Sequence, residues 1–159
     1  MVGSSSTTVS CSTSASLFFA PPPQAPAGRT FINDIVKLTG IALDYNRMGK
    51  LLRPLKFTAA PEKVKIAETR TTVPVWQNNV FRSYRDNSVG IVVIALNPGE
   101  QSNSLVIDDK VRREWNLPEN AVISRVHPDG KVEELAALKD CKEIPLKLNG
   151  VEVAFLVVK

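Results

Sequence analysis

Two hydrophobic periods follow one another along the chain. Between Thr30 and Lys50, apolar residues recur every three or four positions, the period of an amphipathic helix. Thr30 suits the N-cap of such a helix and Gly49 suits its C-terminal stop. The pattern therefore predicts one helix over residues 31–49, with an apolar stripe formed by Ile32, Ile35, Leu38 (or Thr39), Ala42, Tyr45 and Met48.

From Leu55 onward, apolar and polar residues alternate, which is the period of strands with one buried face. Turn-forming residues interrupt the alternation about every eight to twelve positions, a spacing typical of antiparallel sandwiches and barrels. No further helix-length pattern separates the strands, which disfavours a parallel sheet. We therefore predict a mostly β protein, an antiparallel β-sandwich of about seven to eight strands preceded by one amphipathic α-helix.

The segment VGIVVIALNPGEQSNSLVID, Val89–Asp108, has the strongest pattern. Val89–Leu96 is apolar throughout and too short to cross a bilayer, which predicts a central strand buried on both faces. Asn97-Pro98-Gly99 predicts a turn, and Ser102–Asp108 predicts a half-exposed returning strand. Near the C-terminus, Asn149-Gly150 between two strand-like runs predicts a type I′ hairpin turn.

Three other segments have weaker patterns. Gln77-Asn78-Asn79 interrupts an apolar run and predicts a bulge or a bend. DKVRREWNLPEN, residues 109–120, is a polar segment between predicted strands. KVEELAALKD, residues 131–140, fits either a strand or a short helix.

Residues 1–30 differ in composition from the rest of the chain. They are rich in Ser and Thr, contain Pro21-Pro22-Pro23 and lack Asp and Glu, so they cannot bury enough apolar surface to fold alone. Three interpretations stay open: an organelle transit peptide of the plastid kind, a disordered or artefactual head, and a secretory signal. A transit segment is favoured over a secretory one because no basic residue precedes the short apolar run Leu17–Ala20.

The predicted organisation is thus a head over residues 1–30, a helix and linker over residues 31–54, and a β-sandwich domain over residues 55–159. With 159 residues, 43% of them hydrophobic, the chain is long enough for one soluble globular domain. The net charge is +4, but Lys and Arg are interspersed with acids, so we expect no nucleic-acid partner. No run approaches the length of a membrane span, so we expect no membrane partner.

Groups that could carry catalysis or bind a metal are scattered. The single histidine, His127, closes a predicted strand beside a turn, where a surface role is more common than a catalytic one. Cys11 and Cys141 form no CxxC motif, and no Gly-rich phosphate loop is present. The acidic pairs do not have the opposed arrangement that a glycosidase needs. We therefore expect no catalytic residue, no metal ligand and no cofactor.

The aromatic residues of the sheet region are the remaining candidates for a ligand site. Trp76, Tyr84 and Trp115, together with Phe81, could form a sugar-stacking platform. Aromatic residues of β-sandwiches more often belong to the core. A platform requires that two or more of the four be exposed on one face.

The order of elements from Ile32 to Lys159 resembles the C-terminal end of glycoside hydrolases of the TIM-barrel type, in which the last barrel helix runs into a β-sandwich. DYNRMGKLLRPLKF, residues 44–57, looks like the helix exit and linker. VWQNNVFRSYRDNSVGIVVIALNPGEQSNSLVID, residues 75–108, looks like the strands that characterise the sandwich. EIPLKLNGVEVAFLVVK, residues 143–159, looks like the closing hairpin.

This resemblance implies a non-catalytic accessory domain. The catalytic carboxylates of such enzymes lie on barrel strands, and none of the strands predicted here belongs to a barrel, so no catalytic residue is carried over. The implied partner is a catalytic barrel that packs against helix 31–49, whose apolar stripe should then stay partly uncovered. The alternatives are a stand-alone module that binds carbohydrate or protein, and an organelle-targeted scaffold or complex subunit.

Overall fold

The computed structural model describes residues 26–65 and 70–159, and antiparallel strands make up most of this part of the chain. The mostly β class is therefore confirmed. The predicted head up to residue 25 and Cys11 lie outside the described residues. The helices are α1 (Pro26–Ile41), α2 (Leu43–Asn46) and α3 (Asp109–Trp115), and the strands are β1 (Lys50–Leu52), β2 (Lys56–Phe57), β3 (Lys63–Lys65), β4 (Thr72–Pro74), β5 (Trp76–Arg82), β6 (Val89–Val106), β7 (Val122–Val126), β8 (Val132–Ala137) and β9 (Glu143–Val158).

One seven-stranded sheet dominates the fold. Its strands lie in the order β1-β5-β6-β9-β7-β8, and β2 pairs with the second half of β6. Strands β3 and β4 form a separate two-stranded ribbon. Every pairing in both sheets is antiparallel, which matches the short connections between strands.

The predicted hairpin over Val89–Asp108 is wrong, because β6 is a single strand through this segment. Both of its halves pair with β9, Val89–Leu96 on one side of an irregularity and Glu100–Val106 on the other. The register shifts between Leu96 and Glu100, so the Asn-Pro-Gly segment forms a bulge rather than a reversal. Pairing with a strand distant in sequence thus overrides the local preference for a turn.

The predicted turn at Asn149-Gly150 is wrong for the same reason, because β9 also runs without a reversal. Asn149 pairs with Glu100, and the next paired residue of β9 is Val151, opposite Leu96. Gly150 between them has φ of 68°, a backbone conformation that glycine adopts without steric cost. The Asn-Gly pair therefore supplies the β9 side of the bulge.

Strand β6 must bend at this bulge. A straight strand of its length would span about 55–60 Å. Yet Arg82, which pairs with Val89 at the start of β6, donates to the carbonyl oxygens of Glu114 and Trp115 in α3, just beyond the end of β6. The two ends of β6 are therefore brought together, and the bent sheet folds over its own inner face in a sandwich-like arrangement.

The inner face of the bent sheet contains the main hydrophobic core. Alternate residues of both halves of β6 and β9 point into one cluster, from Val89 to Leu105 and from Ile144 to Val158. Trp76 and Trp115 are its largest members and are fully enclosed. Side chains of this size each contribute about 1.5–3 kcal/mol when buried, so this core dominates the stability of the sheet.

The outer face carries a second, smaller cluster, in which α1 and α2 pack on the sheet. Leu38, Ala42 and Tyr45 contact a row of residues that pair across three strands. In this row Val126 of β7 pairs with Phe155 of β9, which pairs with Val92 of β6. The helices therefore cover part of the outer face over three neighbouring strands.

The N-terminal helix differs from its prediction in two ways. It begins at Pro26 rather than after Thr30, so Thr30 lies inside the helix and is not its N-cap, and residues 26–30 belong to the helix rather than to the head. Proline is tolerated at the first helical position because its missing N–H has no partner there. The predicted single helix is also interrupted at Ala42, which separates α1 from α2.

Three weaker predictions are resolved by the structure. The bulge or bend expected at Gln77-Asn78-Asn79 is absent, because β5 pairs with β6 in uninterrupted register through this segment. The polar segment 109–120 begins with the helix α3, whose N-cap Asp108 accepts a hydrogen bond from the amide of Val111 at 2.8 Å. The segment 131–140 is both strand and short helix, since β8 leads into a 3₁₀ turn at Leu138–Asp140.

Replacing Gly90 with alanine should destabilise the protein, because the new Cβ would lie 2.7 Å from Cδ1 of Tyr45. We expect Gly90→Ala to lower the free energy of unfolding by about 1–3 kcal/mol. Gly40→Ala is the matched control, because Gly40 lies in α1 with no atom within 4 Å of a new Cβ and should gain about 0.5–1 kcal/mol. Urea unfolding measures both, and equal effects would contradict the close packing of Tyr45 on β6.

Candidate docking surface

The outer side of α1 and α2 carries exposed apolar residues. Ile32 and Val36 are four residues apart and therefore lie on the same side of α1, and they are 54% and 66% exposed. Leu43, seven residues after Val36, continues this row on α2 and is 43% exposed. The predicted single stripe is therefore divided: Ile35, Leu38, Ala42 and Tyr45 turn towards the sheet, whereas Ile32 and Met48 are exposed.

The outer face of the sheet is apolar beyond the area that the helices cover. Val92 pairs with Phe155, Ile94 with Val153, and Leu96 with Val151, as three successive cross-strand pairs on this face. Phe155 is fully buried under the helices, Ile94 is half-buried, and Leu96 and Val151 are each 38% exposed. The exposure of the side chains thus increases along the strands, away from the helices. The prediction that Val89–Leu96 is buried on both faces is therefore wrong at Leu96.

A groove of about 80 Å³ lies between the helices and the sheet. Its helix side is formed mainly by Ile35, Thr39 and Asn46, and its floor includes Ile94 and Val153. We call this groove, together with the exposed apolar residues of the helices and of the outer sheet face, the docking face; these residues are Ile32, Val36, Leu43, Leu96 and Val151. Exposed apolar patches of this kind mark interaction sites on folded proteins.

A buried polar chain fixes the helices, and with them the docking face, to the sheet. Ser88 donates its hydroxyl proton to the carboxylate of Asp86, with 2.6 Å between oxygens. Since Ser88 has only one such proton, the hydroxyl of Tyr45, 2.6 Å from Ser88 Oγ, must donate to it. The Tyr45 ring also stands edge-on to Phe155, with ring centroids 5.6 Å apart, so this residue joins α2 to both β6 and β9.

The pKa values of the two ends of this chain are shifted in opposite directions. Burial raises the pKa of the Tyr45 hydroxyl above its usual value, which keeps the group neutral and able to donate. The hydrogen bond from Ser88 lowers the pKa of Asp86 below its usual value, which keeps that group ionised and able to accept. Nearby, Asp44 of α2 pairs with Arg85 at 3.1 Å, a further tie between the helices and the β5–β6 turn.

The structure does not bring the predicted aromatic platform together. Trp76 and Trp115 are buried in the inner core, and Phe81 is half-buried on the outer face. Only Tyr84 is exposed, at 53%, and the guanidinium of Arg85 lies 5.5 Å from its ring centroid. Alternation along β5 explains part of this outcome, since residue 76 points to the inner face and residue 81 to the outer one.

The other polar candidates serve local structure. His127 lies 3.2 Å from the carboxylate of Glu133 on the exposed side of β8. Cys141 is a buried free thiol whose pKa is raised by burial, a state that disfavours the reactive thiolate. A broad open groove of about 820 Å³ lies beside α3. Two of its polar residues already serve the fold: Arg112 donates to the carbonyl oxygens of Leu138 and Cys141, and Asp108 caps α3.

Side chains that could bind a metal do not cluster within residues 26–65 and 70–159. No group of three or more His, Cys, Asp or Glu side chains in this part of the chain could hold a metal ion. Among the described helices, none combines the length and the apolar character that crossing a membrane demands.

Sequence reasoning predicted the helix as an interaction element but did not predict the sheet half of the docking face. The signal was present in the apolar run of β6, where residues of both parities are hydrophobic although only one set can face the inner core. The even-numbered residues Val92, Ile94 and Leu96 therefore need a cover on the outer face, and the helices supply it for only part of their length.

Asp86 should make stability depend on pH in acid. Because its pKa is lowered in the folded protein, its ionised form contributes stability that is complete above the unfolded-state pKa of about 4 and is lost as the pH falls through the folded-state pKa. The free energy of unfolding of the native protein should therefore fall more steeply below about pH 4 than that of Asp86→Asn. Urea titrations across the acid range test this, and parallel curves for the two proteins would contradict it.

No family model, curated protein or solved structure matches this chain. The resemblance to the C-terminal domains of glycoside hydrolases thus depends on the quoted stretches of sequence alone. The docking face is the feature of the described residues that bears most directly on function.

Proposed function

We propose that this chain is a non-catalytic accessory domain that packs through the docking face against a catalytic barrel of the glycoside hydrolase type. The observation that supports the proposal is the exposure of Ile32, Val36 and Leu43 on helices whose other side is fixed to the sheet. An accessory domain that docks by its N-terminal helix requires such a stripe. Burying apolar surface is worth about 25 cal/mol per Å², which favours a partner over water at this face.

The order of elements also supports this proposal. Two helices, α1 and α2, precede the sheet, as they would where a last barrel helix runs into an accessory domain. The polar chain through Tyr45 and the ion pair of Asp44 hold these helices in one position. A docking element held in this way loses little conformational freedom on binding, which favours a stable arrangement of two domains.

A stand-alone interaction module is the second candidate. Its carbohydrate-binding form has little support, because only Tyr84 of the four aromatic candidates is exposed. Its protein-binding form is supported by the same docking face and differs in having a separate chain as the partner. Whether a barrel is encoded together with this chain distinguishes the two.

We expect the transcript that encodes this chain to contain, upstream of the codon for Met1, a reading frame for a TIM barrel continuous with it. Sequencing that transcript from its 5′ end is the measurement. A barrel frame in phase with the helix supports the accessory role. A transcript without one overturns the glycoside hydrolase assignment and favours the stand-alone module.

The docking face should bind an apolar dye in the isolated chain. We expect Val36→Glu to reduce the fluorescence of bound anilinonaphthalene sulfonate, with stability changed by no more than about 0.5 kcal/mol because the side chain is exposed. Val64→Glu is the matched control, because Val64 is 43% exposed on the separate β3–β4 ribbon and the charge change is the same. Equal loss of dye binding in both variants would contradict the docking face as the main apolar patch.

A further inference from the structure

We infer that Asn149 is a site of spontaneous chemical modification, at which the backbone nitrogen of Gly150 displaces ammonia from the side-chain amide and the asparagine becomes aspartate or isoaspartate. The two residues lie at the bulge that interrupts the β6–β9 ladder. The reaction needs no partner protein, so it goes beyond the proposed function and is independent of it.

The reaction balances with water as its one co-reactant. The nitrogen of Gly150 forms a bond to Cγ of Asn149, and the bond from Cγ to Nδ2 breaks. The displaced amide group takes up a proton in place of the one that the Gly150 nitrogen loses, and it leaves as ammonia. Water then opens the resulting succinimide ring at either of its carbonyls. Opening at Cγ gives aspartate, and opening at the main-chain carbonyl gives isoaspartate, which continues the chain through its side chain.

The bulge leaves the Asn149–Gly150 pair less restrained than the rest of the ladder. Asn149 faces Glu100, but Gly150 lies opposite no residue of β6. The Asn149 side chain is exposed and forms no hydrogen bond within residues 26–65 and 70–159. No atom lies within 4 Å of the position that a Cβ of Gly150 would take. Because glycine has no side chain, nothing crowds the approach of Cγ to its nitrogen.

Asn87, which also precedes a small residue, is held more firmly. Its Oδ1 accepts a hydrogen bond from Nη1 of Arg82 at 2.8 Å. The nitrogen that would attack it, that of Ser88, donates to Oδ1 of Asp86 at 3.2 Å. Closure of a succinimide ring at Asn87 must therefore break two hydrogen bonds.

Asn103 is the second asparagine followed by serine, and it is also held. Its side chain bonds both backbone groups of Ala59, with Nδ2 3.0 Å from the carbonyl oxygen and Oδ1 3.2 Å from the nitrogen. The nitrogen that would attack, that of Ser104, donates to the same Oδ1 at 2.9 Å. The fold thus restrains Asn87 and Asn103 through hydrogen bonds that Asn149 lacks.

One carboxylate restrains the main chain at Asn149. Oε2 of Glu152 accepts from the backbone nitrogen of Asn149 at 2.7 Å, and Oε1 accepts from Nη2 of Arg125 at 2.9 Å. This bridge ties the residue before the bulge to β7. Ring closure requires the main chain at Asn149 to rotate, so loss of the bridge should speed the reaction.

The product adds a negative charge beside two carboxylates. Glu100 faces position 149 across the ladder, and Glu152 is bonded to its backbone nitrogen. Lys147 is already paired with Glu100 at 2.9 Å. Like charges directly opposite one another on neighbouring strands destabilise a sheet. Because Val151 follows two residues later, the modification weakens the ladder beside the exposed end of the docking face.

Peptide mapping by mass spectrometry tests the inference on the full chain, incubated in mildly alkaline buffer both folded and in urea. The rate in urea divided by the rate in buffer measures how far the fold protects each asparagine. We expect this ratio to be about tenfold smaller for Asn149 than for Asn87 and Asn103, the factor that one hydrogen bond typically supplies. Equal ratios at the three positions, or an Asn149 that stays intact in the folded protein, overturn the inference.

Variants of Glu152 show whether the bulge controls the rate. We expect Glu152→Ala to speed the reaction at Asn149 about tenfold and to leave Asn87 unchanged, because a charge-assisted hydrogen bond is lost at the bulge alone. Glu133→Ala is the matched control, because Glu133 pairs with His127 on β8. Near-ultraviolet circular dichroism verifies that both variants fold. Equal rates at Asn149 in the two variants overturn the assignment of its restraint to Glu152.

Discussion

The antiparallel pairing of β6 with β9 organises the whole molecule. The two strands pair along nearly their full lengths and share one interruption, where the Asn-Pro-Gly segment of β6 lies opposite Gly150. Because the bulge bends both strands at the same level, a single ladder supplies both halves of the inner core. The edge strands, α3 and the N-terminal helices all add to a sheet that this pair defines.

The bend also creates two unequal faces. The inner face is enclosed by the sheet itself and by α3, and it takes the large side chains of Trp76 and Trp115. The outer face depends on α1 and α2 for its cover, and these helices reach only part of it. Leu96 and Val151 stay exposed because α1 and α2, the helices that pack on this side among the described residues, cover only part of it, and this exposure is the physical basis of the proposed docking.

Much of the fold follows from local sequence patterns, but the connections between elements do not. Alternation correctly predicted antiparallel strands, and the helical period correctly placed a helix before them. Asn-Pro-Gly and Asn149-Gly150 were wrongly predicted as turns, because each sequence ordinarily reverses the chain. In the structure they form the two sides of one bulge, because each lies in a strand that pairs with a strand distant in sequence. The helix α3 was not predicted, because seven residues are too few to show a clear helical period of apolar positions. Its sequence signals are the N-cap residue Asp108 and the four-residue spacing of Val111 and Trp115.

The docking face shows a similar division. The helix was predicted to interact, and its period separated buried Leu38 from exposed Val36. The same period placed Ile32 and Met48 in the stripe, although both are exposed, because hydrophobic residues occur on several sides of these helices. Which side packs is decided by the sheet, through Tyr45, Ser88 and Phe155. The tryptophans were weighed as ligand contacts because sequence alone does not tell which face of a strand will be enclosed.

The β6–β9 ladder also sets an order for folding. Its pair closest in sequence is Val106–Glu143, and its most distant pair is Val89–Val158. Loop-closure entropy favours forming the closer end first and extending the ladder across the bulge towards the far end. The far half is the part of the ladder on which α1 and α2 pack. These helices can therefore pack on the sheet only after β9 has paired with β6. A nascent chain therefore carries the apolar face of its helices unshielded until β9 has been synthesised.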